Sequence, residues 1–453
     1  MVSRRDFLRS SGSLAAVSAL GGLAACSAPL SSSNSYINGV IAPGRNTTVF
    51  TWTDIMLQAI RNQSVPPPPA TRSFAMAHVA GFTAVNAIKP RYDDALQVGP
   101  GPTGADLDAA YASAFATALG ESLRASFAPD LRRFLSSRPS GEATRAGAEW
   151  GRRVGQALIK ARAQDGSEPS RATLYLGRYP RRDGILKWSP TGPFYDAGSG
   201  PGFATFARGL LPGWGDVTPW VMRSKAQFLA VDFPEAGSAE FARQLEKVRR
   251  LGASDSAIRT ADERQIAFFW EDGPRGVTPP GHWQIIAMDI LQRRNLDIVD
   301  QARAFALLSM GQADAAVTTW HSKYTHDIVR PETFIRQRAA NRDPGWKTLI
   351  PTPGFPAYTS GHSTFSAVSA RMLARLIGTD RVNFSSTAPD LVNWPVELTG
   401  VRRSWSSLSQ AADEGGASRE FGGIHWEADN VEGLRVGRDL ADFTFANLLK
   451  TRV

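Results

Sequence analysis

Three short clusters between Trp320 and Asp429 gather side chains suited to gripping a tetrahedral oxyanion. The first is Lys323-Tyr-Thr-His-Asp-Ile-Val-Arg330-Pro331, the second Ser360-Gly361-His362, and the third Ser418-Arg419 followed by His425 and Asp429. A compact ammonium and planar guanidinium groups supply charge and paired N–H donors for an XO4 group. Ser360 falls at or near the N-cap of a helix carrying Phe365, Val368, Met372, Leu373 and Leu376. The unpaired N–H groups and positive dipole end of such a helix point at whatever anion sits there. Gly361 permits close approach to the backbone, and His362 in the first turn is placed for proton transfer. Asp429 lies four residues beyond His425, a spacing that puts both on one helical face, where the carboxylate orients the imidazole or raises its basicity. Each cluster alone is commonplace: two surface charges, a capping turn, a surface ion pair. Their conjunction is not.

Helices must position these groups. Trp52, Ile55, Met56 and Ala59 mark a helix from Thr51 that stops before Pro66-Pro67-Pro68-Pro69. Further helices are expected over Phe74–Ile88, Leu107–Leu135, Ala143–Ala163, Glu240–Leu251, Arg259–Trp270 and Trp283–Arg294. A helix from Asp300 places Phe305, Met310, Val317 and Trp320 on one buried face and delivers Lys323 at or just past its end. Pro331 biases Arg330 towards extended backbone, so the Lys323 and Arg330 side chains can converge. The last helices run from Ser363 to near Gly378 and from about Ile424 to Leu449. Residues 165–240 and 380–405 lack periodicity and read as long ordered loops packed over the core. No clear alternating strand pattern appears. The expected class is all-α: a large helical domain of packed bundles over 49–453, with long irregular loops and the site in 320–429.

At 453 residues and 42% hydrophobic, the chain can bury a substantial core. Its net charge of +9 is spread thinly, without a Lys/Arg run or nucleic-acid motif, so a mildly basic surface favouring anionic substrates is expected and nucleic acid is not. The N-terminus reads Ser3-Arg4-Arg5-Asp6-Phe7-Leu8 before an apolar, small-residue stretch from Leu14 to Ala25. That pattern resembles a twin-arginine export signal over residues 1–26, too short to stay as a membrane anchor. Leu23-Ala24-Ala25-Cys26 resembles a lipobox, which makes the lone cysteine a candidate lipid anchor at the cell surface or in the periplasm. A polar tether over 27–48 fits such an anchor.

Lys-x6-Arg-Pro, Ser-Gly-His and Ser-Arg-x5-His-x3-Asp together resemble the signature joining vanadium-dependent haloperoxidases with type 2 phosphatidic acid phosphatases. All its signature residues are matched with the internal spacings, and weaker similarity reaches segments such as Arg72-Ser-Phe-Ala-Met-Ala-His78. The resemblance implies that Lys323, Arg330, Ser360, Gly361 and Arg419 hydrogen-bond the oxygens of bound vanadate or phosphate. It implies that His425 ligates vanadium or becomes phosphorylated, and that His362 is the acid/base. It gives no role to His78, His282, His321 or His326. Both activities share this anion cradle, because vanadate mimics phosphate in its pentacoordinate transition state. One expectation is an exported peroxidase that holds vanadate and oxidises bromide or chloride with hydrogen peroxide. The alternative is an acid phosphatase that hydrolyses phosphate esters through a phosphohistidine at His425. Trp320 and Phe355 stand where chloroperoxidase-type members carry aromatic residues, and an apolar wall there suits a weakly hydrated halide.

Overall fold

The computed structural model describes residues 47–168, 182–189, 209–273, 275–389, 395, 398 and 400–452. The export signal, Cys26 and nearly all of the expected tether lie outside these residues. Thirteen α-helices occur among the described residues. The N-terminal group is α1 (Thr48–Asn62), α2 (Pro67–Ile88), α3 (Leu107–Leu123), α4 (Ala128–Ser136) and α5 (Glu142–Ala161), with α2, α3 and α5 packed on one another. Then follow α6 (Ala239–Leu251), α7 (Ala261–Phe269), α8 (Thr278–Leu291) and the long α9 (Ile298–His326). The C-terminal group is α10 (Pro331–Gln337), α11 (Gly361–Ile377), α12 (Leu408–Phe421) and α13 (Glu427–Asn447). α9 packs against both α2 and α11, and α11 against α12 and α13. One continuous buried cluster therefore runs from Val49 and Phe74 through Phe305 to Val368 and Leu440.

The α11–α13 contact sets the geometry of the site. A Cβ built on Gly433 would lie 2.9 Å from the Ser360 carbonyl oxygen, and one on Gly437 would lie 2.5 Å from that of Thr364. The last helix thus lies directly on the backbone of the first turn of α11, and any side chain at either glycine would push them apart. The Ser360 N–H donates to the Asp429 carbonyl at 2.9 Å, which ties the second cluster to the third.

Several expected boundaries move. Pro67, Pro68 and Pro69 open α2 instead of only closing α1, because a first-turn residue needs no N–H partner. The expected helix over Leu107–Leu135 is two: Arg124 turns left-handed at φ 51°, and α4 restarts at Ala128-Pro129. α9 continues past Trp320 to His326, so Lys323 sits within its last turn, and Asp327 at φ 59° ends it. The last helix begins at Glu427, so His425 precedes it and its contact with Asp429 is not made across a helical face. α10, α12 and a two-stranded antiparallel hairpin, β1 (Phe384–Thr387) with β2 (Arg402–Trp405), arise where no element was expected. α12 carries Gly415-Gly416 and mostly polar or small residues, which hides its helical period. In the expected loop region, the buried Asp314 carboxylate accepts the N–H groups of Trp220, Val221 and Met222 at 2.6, 2.8 and 2.8 Å, fixing that segment on α9.

Candidate functional site

All three clusters meet at one place. Arg330 is the extended N-cap residue of α10, with φ −74° and ψ 148°, as Pro331 dictates. Its Nε donates to the Phe355 carbonyl at 2.8 Å, and its Nη1 to the Ile424 carbonyl at 2.8 Å. Lys323 Nζ donates to the carbonyls of Pro356, Ala357 and Thr359 at 3.0, 2.9 and 2.5 Å. The two cations lie 5.0 and 4.9 Å from the centre of the Phe355 ring, so the expected convergence occurs, with an aromatic ring against both charges. Lys323, Arg330 and Ser360 are fully buried.

Ser360 caps α11, its Oγ accepting the Ser363 N–H at 3.3 Å. The first-turn N–H groups of Gly361 and His362 lack intrahelical acceptors by the geometry of a helix start. A Cβ on Gly361 would meet no atom closer than Phe365 Cε2 at 3.6 Å. No protein atom demands glycine there, and Gly361 faces a cavity. His362 Nε2 lies 3.2 Å from the Glu271 carbonyl, to which it donates, leaving Nδ1 as the acceptor nitrogen.

His425 Nε2 lies 3.0 Å from Arg330 Nη1. A guanidinium only donates, so Nε2 is the acceptor and the ring proton resides on Nδ1. That Nδ1–H donates to Asp429 Oδ2 at 2.7 Å, and the Trp426 N–H donates to the same oxygen at 2.9 Å. Asp429 thereby fixes the tautomer that presents the Nε2 lone pair among the cations. The third cation, Arg419 in the last turn of α12, donates from Nε to Ser418 Oγ at 2.9 Å and from Nη2 to the Ala267 carbonyl at 2.8 Å.

The electrostatics are those of a cation-rich, largely buried pocket. Burial pushes His425 well below the usual histidine range, and Arg330 and Lys323 push the same way. Burial also depresses His362, reinforced by Arg419, and depresses Lys323, reinforced by Arg330. Burial lowers Arg419 to about 10. Burial pushes the Asp429 carboxyl up to about 7, against the pull of the Trp426 N–H, Lys323 and Arg330. A bound oxyanion would raise every depressed base here.

A cavity of about 430 Å³ is lined by Gly361, His362, Arg419 and His425 with Trp320 and Phe355, whereas Lys323, Arg330 and Ser360 are not part of its wall. The two aromatic rings lie 5.4 Å apart. Much of the remaining wall is Val65, Pro66, Pro67 and Pro279, from segments given no part in the site by their sequence, together with Pro351 and Pro353 from within the expected stretch. Sequence inspection also passes over Glu271 and Asp272, which line the cavity; Asp272 is held by His282 Nδ1 at 3.1 and 3.2 Å and bears on Arg419. The signal for them was weak: a Glu-Asp-Gly following a helix. His78 lies apart in the core, 2.9 Å from Tyr111, and His326 Nε2 is 3.1 Å from the Ala230 carbonyl. One imidazole acceptor ringed by cations and helix N–H groups fits an anionic metal oxide or a phosphate, not a bare cation.

The family model described as the VCPO second helical-bundle domain matches residues 303–452, which contain all three clusters. Vanadium chloroperoxidase from Curvularia inaequalis is 28% identical over 229 residues, covering 39% of this chain and 38% of that protein. The crystal structure of the first bacterial vanadium-dependent iodoperoxidase is 26% identical, with a TM-score of 0.73 over 89% of this chain and 96% of that one. An apo-type bacterial vanadium-dependent chloroperoxidase, at 15% identity and a TM-score of 0.66 over 84% of this chain and 94% of that one, shares the fold. The match with the fungal protein spans little more than a third of its length, whereas the iodoperoxidase aligns almost from end to end. Motif spacing, the family model matched over residues 303–452 and the chain-long structural likeness agree in marking this chain as similar to the vanadium-dependent haloperoxidases.

Proposed function

We propose that this chain is a vanadate-dependent haloperoxidase that oxidises halide with hydrogen peroxide. The observation that carries this reading is the likeness to a vanadium-dependent iodoperoxidase over 89% of the chain, coupled with a His425 tautomer that offers Nε2 to a ligand. Bound vanadate would supply Lewis-acid activation of hydrogen peroxide. Arg330, Arg419 and the first turn of α11 would bind and orient the oxyanion through charge and N–H donors, with Lys323, its three donors held by carbonyls, adding positive charge behind them. Asp429 holds His425 with Nε2 forward. His362, neutral with its Nε2–H on the Glu271 carbonyl, would take up a proton from hydrogen peroxide at Nδ1 and pass it on to the water that is released. Trp320 and Phe355 keep bulk water from the oxygens and give a poorly hydrated halide an apolar approach. The sequence pointed to bromide or chloride; the iodoperoxidase likeness adds iodide.

A paired assay on the mature chain tests this. One arm measures iodide, bromide and chloride oxidation with orthovanadate and peroxide across pH; the other measures phosphate-ester hydrolysis without vanadate. Ester hydrolysis with no halide oxidation at any pH would sink the peroxidase and leave the phosphohistidine reading at His425. Export through the twin-arginine signal, with Cys26 lipidated, belongs to the same proposal. A mature N-terminus other than Cys26, or one without acyl chains, would remove the anchor.

A further inference from the structure

Three of the helices that position the site, α11, α12 and α13, are tied together by one buried side chain. Asn430, on α13 immediately after Asp429, accepts the Ser363 Oγ–H at its Oδ1 at 2.8 Å. Its Nδ2 donates to Glu420 Oε1 at 2.7 Å. Ser363 belongs to the first turn of α11, next to His362, and Glu420 follows Arg419 on α12. Ser363, Glu420 and Asn430 are buried, at 0, 6 and 7% exposure. The other Glu420 oxygen pairs with Lys247 Nζ on α6 at 2.8 Å, and Lys247 also reaches Glu427 at 2.7 Å in the first turn of α13. A steric observation points the same way. A Cβ on Gly416 of α12 would stand 2.2 Å from Asn430 Oδ1 and 3.1 Å from Ser363 Oγ, so glycine clears room for the amide.

An amide head is required here because it must accept on one side and donate on the other. Aspartate would still accept from Ser363 but would set a second carboxylate against Glu420 in a buried setting, with Asp429 beside it. A leucine would leave both partners unsatisfied. The three elements joined by Asn430 carry His362, Arg419 and the His425–Asp429 pair.

We propose that Asn430 is a positioning residue that sets the placement of His362 relative to Arg419 and the His425–Asp429 pair, that is, of the second oxyanion-binding cluster relative to the third, acting through Ser363 and Glu420. This rests on the oxyanion chemistry of the proposed function. Outer hydrogen-bond partners of this kind typically change anion or metal affinity 10- to 100-fold.

The test titrates orthovanadate, and separately inorganic phosphate, into the mature chain by calorimetry well below its thermal midpoint, and records that midpoint without anion. Asn430→Asp is expected to weaken both anions on the order of 10- to 100-fold. Adding Glu420→Gln returns a donor opposite Asp at 430, so the double variant Asn430→Asp/Glu420→Gln should regain most of that affinity. Gly416→Ala, which changes no charge, should weaken binding in the same direction. If Asn430→Asp does not fold, Ser363→Ala removes one bond and leaves every charge, with an expected loss of about 3- to 10-fold. A lowered midpoint with wild-type anion affinity in the folded variants overturns the proposal, as does a double variant no better than the single one. A wild-type chain that binds neither anion and oxidises no halide overturns the functional reading as well.

Discussion

Asp429 offers a sharp test, because its effects on function and on stability have opposite signs. Two donors converge on its Oδ2, the His425 Nδ1–H at 2.7 Å and the Trp426 N–H at 2.9 Å. Asp429→Asn keeps an oxygen in that place and removes the charge, exchanging a charge-assisted bond for a neutral one. The difference is about 1.4 kcal/mol for the His425 contact, or roughly tenfold in orthovanadate affinity. Asp429→Ala leaves the Nδ1–H without an acceptor at a loss of about 2–3 kcal/mol, or roughly 30- to 150-fold. Stability runs the other way. The carboxyl titrates near 7 when folded against an ordinary 3.8, so the folded state holds the proton more tightly than the unfolded one. Such a group contributes fully below pH 3.8 and loses that contribution as pH rises through about 7, on the order of 4 kcal/mol in all. Urea denaturation at pH 5 and pH 8 should show Asp429→Asn gaining stability relative to wild type at the higher pH. Orthovanadate titration at pH 8 should show the graded loss of affinity. Wild-type affinity in Asp429→Ala would refute the claim that this carboxylate sets the His425 tautomer.

Other perturbations follow from the same geometry. His425→Ala should abolish halide oxidation, and His362→Ala should lower turnover about 10²- to 10⁴-fold with a smaller change in orthovanadate affinity, measured by steady-state kinetics beside calorimetry. Arg330→Lys keeps the charge but cannot span the Phe355 and Ile424 carbonyls and His425 Nε2; anion affinity should fall about 10- to 100-fold, more than for a simple loss of packing. Phe355→Ala removes the partly buried ring against Lys323 and Arg330 and should destabilise the fold by about 1–3 kcal/mol in chemical denaturation. Burial lowers His78 to about 3 from 6.5, so the unfolded state takes up protons first; stability is intact above pH 6.5 and falls as pH drops, by on the order of 3 kcal/mol at pH 4.5. His78→Gln should flatten that part of the stability profile.

What the amino-acid order determined by itself is the chemistry and its local framing. Pro331 set Arg330 extended, Ser360 capped α11, and the resemblance of the motifs to a known signature allied Lys323, Arg330, His362, Arg419 and His425. The first two are properties of neighbouring residues, and short-range sterics and hydrogen bonding decide them. Tertiary structure decided everything that depends on an atom far along the chain. Asp429 reaches His425 because Trp426 caps α13, not because of a helical face, and Arg330 meets the Nε2 of the same ring from nearly a hundred residues away. The proline wall of the cavity comes from the starts of α2 and α8 and from the loop before α11. α12 was unreadable because glycines replaced its apolar repeat, and they are there so that Asn430, Ser363 and Ser366 can approach its backbone. A close approach between helices leaves only a small residue in the sequence, and a small residue does not say what it makes room for.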